Sequence, residues 1–552
     1  MSLQKTVPSK KTVSSKTVSS NQTNAAGAFT PVVYLLSLLC AVTAAFFYWQ
    51  WQGRVAILPE IASASHKLQC VSYSPFDKDQ SPLRPGFVIK PERMDTDLAL
   101  LAKYFSCVRT YSMTGLEALP MYAQKHGLKV MLGAWVSSDN KNTRIEIEQL
   151  IATANRYPDV VQSVIVGNEA LLRKDISGQR LADLITEVKS RVKQPVTYAD
   201  VWEFWLQHPQ VAPAVDFLTI HLLPYWEDEP RGIDDALAHV ADVRGEYGRL
   251  FSPKDILIGE TGWPSSGRQR ETAVPSLVNQ AKFMRGFVAL AEHNGWNYNL
   301  IEAFDQPWKR INEGAVGGYW GLFDADRNDK HVLAGLVSNL PDWQNWLKLS
   351  MAIALGVLLL VGWPRDTRAA ATIPPLAMLA GICMALWLLQ ARNDNRDHWE
   401  WAWTFLLIAV NLLAVMRAAM ELISTQSWRR SLLARYERYA GHAMLCAGFV
   451  GAALMAQLVF DARYRQFPSY AILLPALIYA RWPVAAPRRE TLFLFAVIAI
   501  GIPFQLFEEK LTNIQALGWA AASALLAAAL WRSSRTSLSP AISAANTASA
   551  TV

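Results

Sequence analysis

Two short stretches place glutamates where they could do chemistry: Val166-Gly167-Asn168-Glu169 and Gly259-Glu260-Thr261-Gly262-Trp263-Pro264-Ser265-Ser266-Gly267. Each glutamate stands where an apolar run of β type ends, at 162–166 and at 255–258. A closed parallel barrel collects its reactive groups at the carboxyl ends of its strands. Two carboxyls meeting over one glycosidic bond suffice to cleave it, one managing the proton and the other attacking or activating water. A lone glutamate is ordinarily a solvated surface residue. The matched pair is what points to catalysis.

Elements able to hold such a pair are written into residues 67–341. Short β-type runs occur at 69–73, 107–111, 129–134, 162–166, 195–198, 216–220, 255–258 and 297–301, with helical stretches such as 93–105, 143–156, 181–192 and 278–294 between them. This alternation predicts an α/β fold, a (β/α)8 TIM barrel. An open doubly wound sheet is the rival, but it usually has a glycine-rich turn after its first strand. Here that strand leads into Tyr73-Ser74-Pro75-Phe76. In the barrel register Glu169 follows the fourth strand and Glu260 the seventh. A separation of about 5 Å would give retention through a covalent sugar–enzyme intermediate. The Asn168 amide beside Glu169 could hold a sugar 2-hydroxyl, which assigns Glu169 as acid/base and Glu260 as nucleophile.

These residues resemble glycoside hydrolase family 17, the β-1,3-glucanases and β-1,3-glucanosyltransferases, in a bacterial membrane-anchored form. Asn168-Glu169 and Gly259-Glu260-Thr261-Gly262-Trp263-Pro264 carry the resemblance. Val108-Arg109-Thr110-Tyr111, Glu302-Ala303-Phe304-Asp305-Gln306-Pro307-Trp308-Lys309 and Tyr319-Trp320-Gly321-Leu322-Phe323 extend it. It implies the same two roles for Glu169 and Glu260. The 302–309 stretch is nearer to the fungal-type and bacterial transferases than to plant hydrolases.

Further candidates for substrate binding are Asn168, Tyr73, Arg109, Tyr111, Trp135, Trp202, His221, Tyr225, Trp263, Glu302, Asp305, Trp308 and Lys309. Aromatic planes stack on the C–H faces of sugars, although tryptophan more commonly serves in packing. His221 is read as a partner of the nucleophile or of a hydroxyl, or as a structural histidine. Glu302 and Asp305 are read as orienting Lys309 or binding hydroxyls. No His-x-x-x-His beside a carboxyl and no Cys-x-x-Cys occurs, so neither metal nor cofactor is expected.

The 552 residues are 51% hydrophobic and 18% charged, too apolar for an ordinary soluble enzyme. The excess lies outside the barrel. A Ser/Thr/Lys-rich tail covers 1–30, a transmembrane anchor 31–51 and a linker 52–66. After the barrel, a seven-span helical region covers 342–533 and a second tail 534–552. The seven later spans are read at 346–363, 373–389, 401–416, 440–460, 469–483, 492–507 and 514–531, the fifth blurred by Pro475, Pro483 and Pro487. A removable signal peptide is the alternative for 31–51. Lys5, Lys10, Lys11 and Lys16 before the first span, with Arg365, Arg368, Arg429, Arg430, Arg435, Arg438, Arg481, Arg488, Arg489, Arg532 and Arg535 in alternate loops, place both termini in the cytoplasm. Arg463 and Arg465, beside Asp461, dissent. The expected location is the bacterial inner membrane, with a periplasmic barrel. The net charge of +7 forms no basic stripe in the globular part, so nucleic acid is not an expected partner. Cys70 and Cys107 read as two buried thiols, with a disulfide as the alternative.

The function expected is a retaining transglycosylase remodelling exported β-1,3-glucan, with β-glucan and the lipid bilayer as partners and a separate membrane glucan synthase as a candidate third. A retaining endo-β-1,3-glucanase is one alternative. A non-catalytic glucan-binding scaffold is the other. Transport by the C-terminal helices is disfavoured, since their polar residues are few, chiefly Asn411, Gln457 and Gln505.

Overall fold

The computed structural model describes residues 22–61, 67–84, 86–423, 428–460 and 465–536. The expectations for most of both tails, for the 62–66 part of the linker, for Asp461 and Arg463, and for the Arg429 and Arg430 side chains lie outside the described positions.

Val55–Ala56 (β1) pairs antiparallel with Val337–Ser338 (β10), closing the two ends of the barrel domain on each other. Between them eight parallel strands form a closed barrel: β2 (Leu68–Ser72), β3 (Phe105–Arg109), β4 (Lys129–Ala134), β5 (Val161–Asn168), β6 (Val196–Val201), β7 (Leu218–His221), β8 (Ile256–Thr261) and β9 (Asn297–Leu300). The strands are short, rich in β-branched residues and buried on both faces, as a helix-wrapped parallel sheet requires. Strand parity divides them. Val71, Val108, Val130, Val164, Ile220 and Ile258 join the large core under the helices. Cys70, Cys107, Met131, Ile165, Ala199 and Leu257 fill the barrel interior. Full burial of each large aliphatic contributes about 1.5–3 kcal/mol.

The register pairs Cys70 with Cys107 on adjacent strands, and the two form a disulfide with Cα atoms 4.5 Å apart. Two free thiols were the sequence expectation; direct opposition of the residues across a parallel pair corrects it.

Local signals fix the surrounding helices. Pro91 opens Pro91–Leu101, where its missing N–H costs nothing. Asp139 accepts the amides of Lys141 and Asn142 to cap Asn140–Arg156. Ser276 caps Leu277–Asn294, which Gly295 ends at φ +65°.

Among the described residues, seven helices are long and apolar enough to cross a membrane: Phe29–Gln52, Trp343–Val361, Thr367–Asp394, His398–Leu422, Ala440–Phe460, Arg488–Glu509 and Ile514–Arg535. The eighth expected segment is only the 13-residue helix Ser469–Arg481, about 20 Å of rise. It ends two residues short of the 469–483 stretch that the sequence offers. Still, this short helix joins opposite ends of the bundle. Phe467, just before it, lies 4.4 Å from the barrel's Arg268, whereas Ala480 accepts from Arg532 at the far end. The other helices alternate likewise. Trp49 donates to Ser350 near the barrel, while Thr30 bonds Thr367 and Arg365 bonds Leu422 at the distal end.

Candidate active site

All eight strands point their carboxyl ends into one cleft of about 1120 Å³. Its floor is built around a buried cation. Arg109, the last residue of β3, is fully buried and turns inward beneath the cleft. It donates to the Gly259 carbonyl at 2.6 Å, to Glu260 Oε1 at 3.2 Å and to Asn168 Oδ1 at 2.5 Å. Room for the guanidinium comes from Gly259, where a Cβ would lie 2.3 Å from Thr219 Cγ2 and 3.5 Å from Arg109 Nη1. Guanidinium can only donate, so the Asn168 oxygen faces Arg109 and its amide N–H₂ is left for the cleft.

Glu260 belongs to β8, which runs on to Thr261, whereas the apolar run in the sequence stops at Ile258. The extra pairing explains the difference: Leu222 N–H donates to the Glu260 carbonyl, and Ile301 N–H to that of Thr261. Glu169 stands just past β5 and has φ +52°, a left-handed conformation costly for a residue with a Cβ. Its amide is fixed on the Ala199 carbonyl at 2.8 Å. Such strain is held in place by its surroundings and aims the carboxyl into the cleft.

His221, at the end of β7, lies between the two carboxyls. Nδ1 is 2.9 Å from Glu169 Oε1, and Nε2 is 3.6 Å from Glu260 Oε1. One oxygen from each glutamate and one ring nitrogen lie within 4.8 Å of one another. By donor type this trio could also ligate a cation, but Arg109 already supplies positive charge against Glu260. Burial pushes the Glu169 carboxyl up; the His221 hydrogen bond, with the charges of His221, Arg173 and Arg109, outweighs it and holds the group below its ordinary range.

Of the sequence-selected residues, Tyr73, Tyr111, Trp135, Asn168, His221, Trp308 and Lys309 line the cleft with the two glutamates. Trp135 is 38% exposed, with Arg173 over its ring at 4.1 Å. Arg109, Trp202, Tyr225, Trp263, Glu302 and Asp305 do not line it. Trp202 packs edge-on against Tyr247. Tyr225 is fully buried and donates to the Arg268 carbonyl, and buried Trp263 donates to that of Val274. Glu302 holds Lys309 at 2.9 Å, and Asp305 holds Lys330 at 3.0 Å. Burial raises Glu302 to about 7 and Asp305 to about 6 despite these partners.

Sequence reasoning did not select Glu146, Glu203, Glu227, Glu313 or Trp320 as site residues, yet all of them line the cleft, as does Trp226, an aromatic the sequence does place at a strand end. Trp226 and Trp320 stack nearly parallel, 15° apart with centroids at 6.5 Å. Glu146, on a helix, reaches up to accept from Met113 N–H at 2.6 Å and Trp135 N–H at 3.0 Å, tying two cleft loops together. Its signal was hidden because it sits in an ordinary amphipathic pattern.

Residues 70–321 match the family described as the BtgE/BtgC glycoside hydrolase domain. A glucan 1,3-β-glucosidase of Saccharomyces cerevisiae is 26% identical over 267 residues, covering 43% of this chain and 84% of that protein. One from Schizosaccharomyces pombe is 29% identical over 260 residues, covering 43% and 79%. A solved family 17 β-1,3-glucanosyltransferase from Rhizomucor miehei is 26% identical with a TM-score of 0.43, covering 48% of this chain and 97% of that one.

Proposed function

Since residues 70–321 are a glycoside hydrolase domain of the BtgE/BtgC, family 17 type, we propose that the chain is a membrane-anchored retaining β-1,3-glucan transglycosylase. The observation that carries the chemistry is the approach of Glu169 and Glu260 oxygens to within 4.8 Å, the spacing of retaining enzymes. Glu260 attacks the anomeric carbon as the glycosidic C–O bond breaks, and Glu169 gives its proton to the departing sugar oxygen. The glycosyl ester on Glu260 is then attacked at the same carbon by a sugar hydroxyl, whose proton returns to Glu169. Water in place of that hydroxyl gives hydrolysis. Asn168 N–H₂ donates to the sugar 2-hydroxyl, and Trp135, Trp308 and the Trp226–Trp320 pair offer planes for glucose rings. The lowered Glu169 pKa suits the ionised state needed in the second half-reaction. Sugar in the cleft strips water from the carboxylate and pushes it toward the protonated state needed in the first.

Transfer is favoured over hydrolysis by context: a barrel fixed to a helical membrane module suits reworking of chains made nearby. Incubating the full chain with laminari-oligosaccharides tests this. Products longer than the substrate are expected; glucose and shortened chains alone would leave the endo-β-1,3-glucanase reading.

We read the helical module as spanning a bilayer eight times, with the barrel on the outer face and both termini inside. Arg365, Arg368, Arg435, Arg438, Arg481, Arg488, Arg489, Arg532 and Arg535 belong to the ends remote from the barrel. The barrel-side ends hold fewer cations, Arg392, Arg396, Arg465 and Lys510, among Asp394, Asp397, Glu400, Glu508 and Glu509, and the excess of Lys/Arg at the distal end is the bias of an inward-facing side. A membrane-impermeant thiol reagent should label Lys78→Cys from outside and Arg535→Cys only after lysis. The reverse pattern would invert the topology. This module is also the candidate docking platform for a membrane glucan synthase.

A further inference from the structure

The helical module does more than tether the barrel: it grips the loop after β9, which walls one side of the catalytic cleft, and the loop after β8 that interlocks with it. The loop after β8, the strand that holds the proposed nucleophile, carries Arg268, only 2% exposed and ion-paired with Glu509 at a helix end. Arg268 also donates to the Arg465 carbonyl. Next to it, the Gln269 carbonyl accepts from Asn513 at 2.9 Å, and the Gln269 amide donates to Gln515 at 3.1 Å.

The loop after β9 is held from the same side. Arg310 donates to the carbonyls of Asn393 at 2.9 Å and Asn395 at 3.2 Å, and Tyr319 donates to Asn393 at 2.9 Å. These carbonyls end the helix Thr367–Asp394, where unpaired acceptors and the negative end of the helix dipole favour a cation. The two loops interlock: Ser265 N–H bonds the Tyr319 carbonyl at 2.8 Å, and a Cβ at Gly267 would fall 2.7 Å from Val316 Cα. Arg310 directly follows Trp308 and Lys309, which line the cleft, and Lys309 is paired with Glu302. A short, fully bonded path thus joins the ends of the membrane helices to the cleft wall.

We propose that the C-terminal helical module is a positioning element of the active site, and that Arg268 and Arg310 are the positioning residues through which it sets the β8 and β9 loops. This deepens the glycosidase reading and rests on it. Neither arginine touches substrate. A geometric slip of the wall on the order of 1 Å is enough to cost rate.

The test uses the full chain in detergent. Arg268→Met, which keeps the stem and loses the charge, should lower kcat/KM for laminaripentaose per folded molecule by about tenfold or more. In that background Ser266→Cys with Asn393→Cys, whose native side chains are 3.2 Å apart, should restore rate when oxidised and lose it again under reductant. An Arg268→Met control without the two added cysteines receives the same treatment. Support that only stabilised the fold would change the yield of folded protein and leave these constants alone. If Arg268→Met does not fold, Arg310→Met carries the same comparison. Unchanged kcat/KM in the folded variant, or no rescue by the crosslink, overturns the proposal. Glu260→Gln separates the two readings: persistent turnover there sinks the glycosidase reading, whereas its loss beside an indifferent Arg268→Met sinks the clasp alone.

Discussion

His221 Nδ1 lies 2.9 Å from Glu169 Oε1, while its Nε2 lies 3.4 Å from Arg109 Nη2. An ionised carboxylate can only accept, so Nδ1 carries a proton and donates it to Glu169. The histidine therefore stabilises the ionised form of Glu169, the proposed acid/base. Replacing it by alanine removes that hydrogen bond and lets burial dominate, which raises the Glu169 pKa. The alkaline limb of kcat/KM, which reports loss of the acid's proton in the free enzyme, is predicted to move to higher pH in His221→Ala. A pH–rate profile with an unmoved limb would exclude this coupling.

The two glutamates should fail differently. Glu169→Gln removes proton donation, lowering the rate on laminari-oligosaccharides by about 10²–10⁴-fold. An aryl glycoside whose leaving group needs no proton should be spared in its first step. Glu260→Gln removes the attacking group and should abolish turnover of both substrates. Parallel rates on the two substrates would show whether the assignments are exchanged.

Arg109→Lys is the sharpest test of the cleft floor. One ammonium cannot reach Gly259, Glu260 and Asn168 together, as the guanidinium does. Each buried acceptor left unpaired costs about 1–3 kcal/mol. We expect kcat/KM to fall by about 10²-fold and the thermal midpoint to drop with it. Wild-type kinetics in Arg109→Lys would mean that charge alone is required there.

Three buried carboxyls in and beside the cleft titrate high: Glu302 and Glu313 at about 7 and Asp305 at about 6, in each case chiefly through burial. Between the ordinary glutamate value of 4.5 and about 7, the folded chain keeps protons that the unfolded chain has released. Their contribution to stability is therefore full below pH about 4.5 and is lost as the pH rises through 7. Lys309, raised to about 12, titrates above this window. Thermal unfolding should show a midpoint that declines from pH 5 to pH 8, with a shallower decline in Glu302→Gln. A slope that is the same in both proteins would remove Glu302 from the explanation.

The barrel was legible because strand burial leaves long β-branched runs and the helices between them are amphipathic. The eight expected runs became β2 to β9 with ends moved by a few residues. What pattern could not reveal was which side of a strand end a residue takes. Tyr225 and Trp226 are neighbours, yet Tyr225 is sealed beneath the loop and Trp226 faces the cleft. Glu227 comes from an irregular loop, and Glu203 and Glu313 from helices of only six and four residues, too short to show a periodicity. Cys70 and Cys107 depended on register, which a parallel sheet fixes only once it closes. The short helix Ser469–Arg481 was overread because apolar composition continues past the point where Pro483 and Pro487 stop the helix.

The central claim is that Glu169 and Glu260 act from opposite sides of one anomeric carbon through a covalent intermediate. Proton NMR of the first product formed from laminari-oligosaccharides, recorded before mutarotation, tests it most directly. The account predicts a newly formed β-anomer, two displacements having restored the starting configuration. An initial α-anomer would mean a single displacement by water and would contradict it.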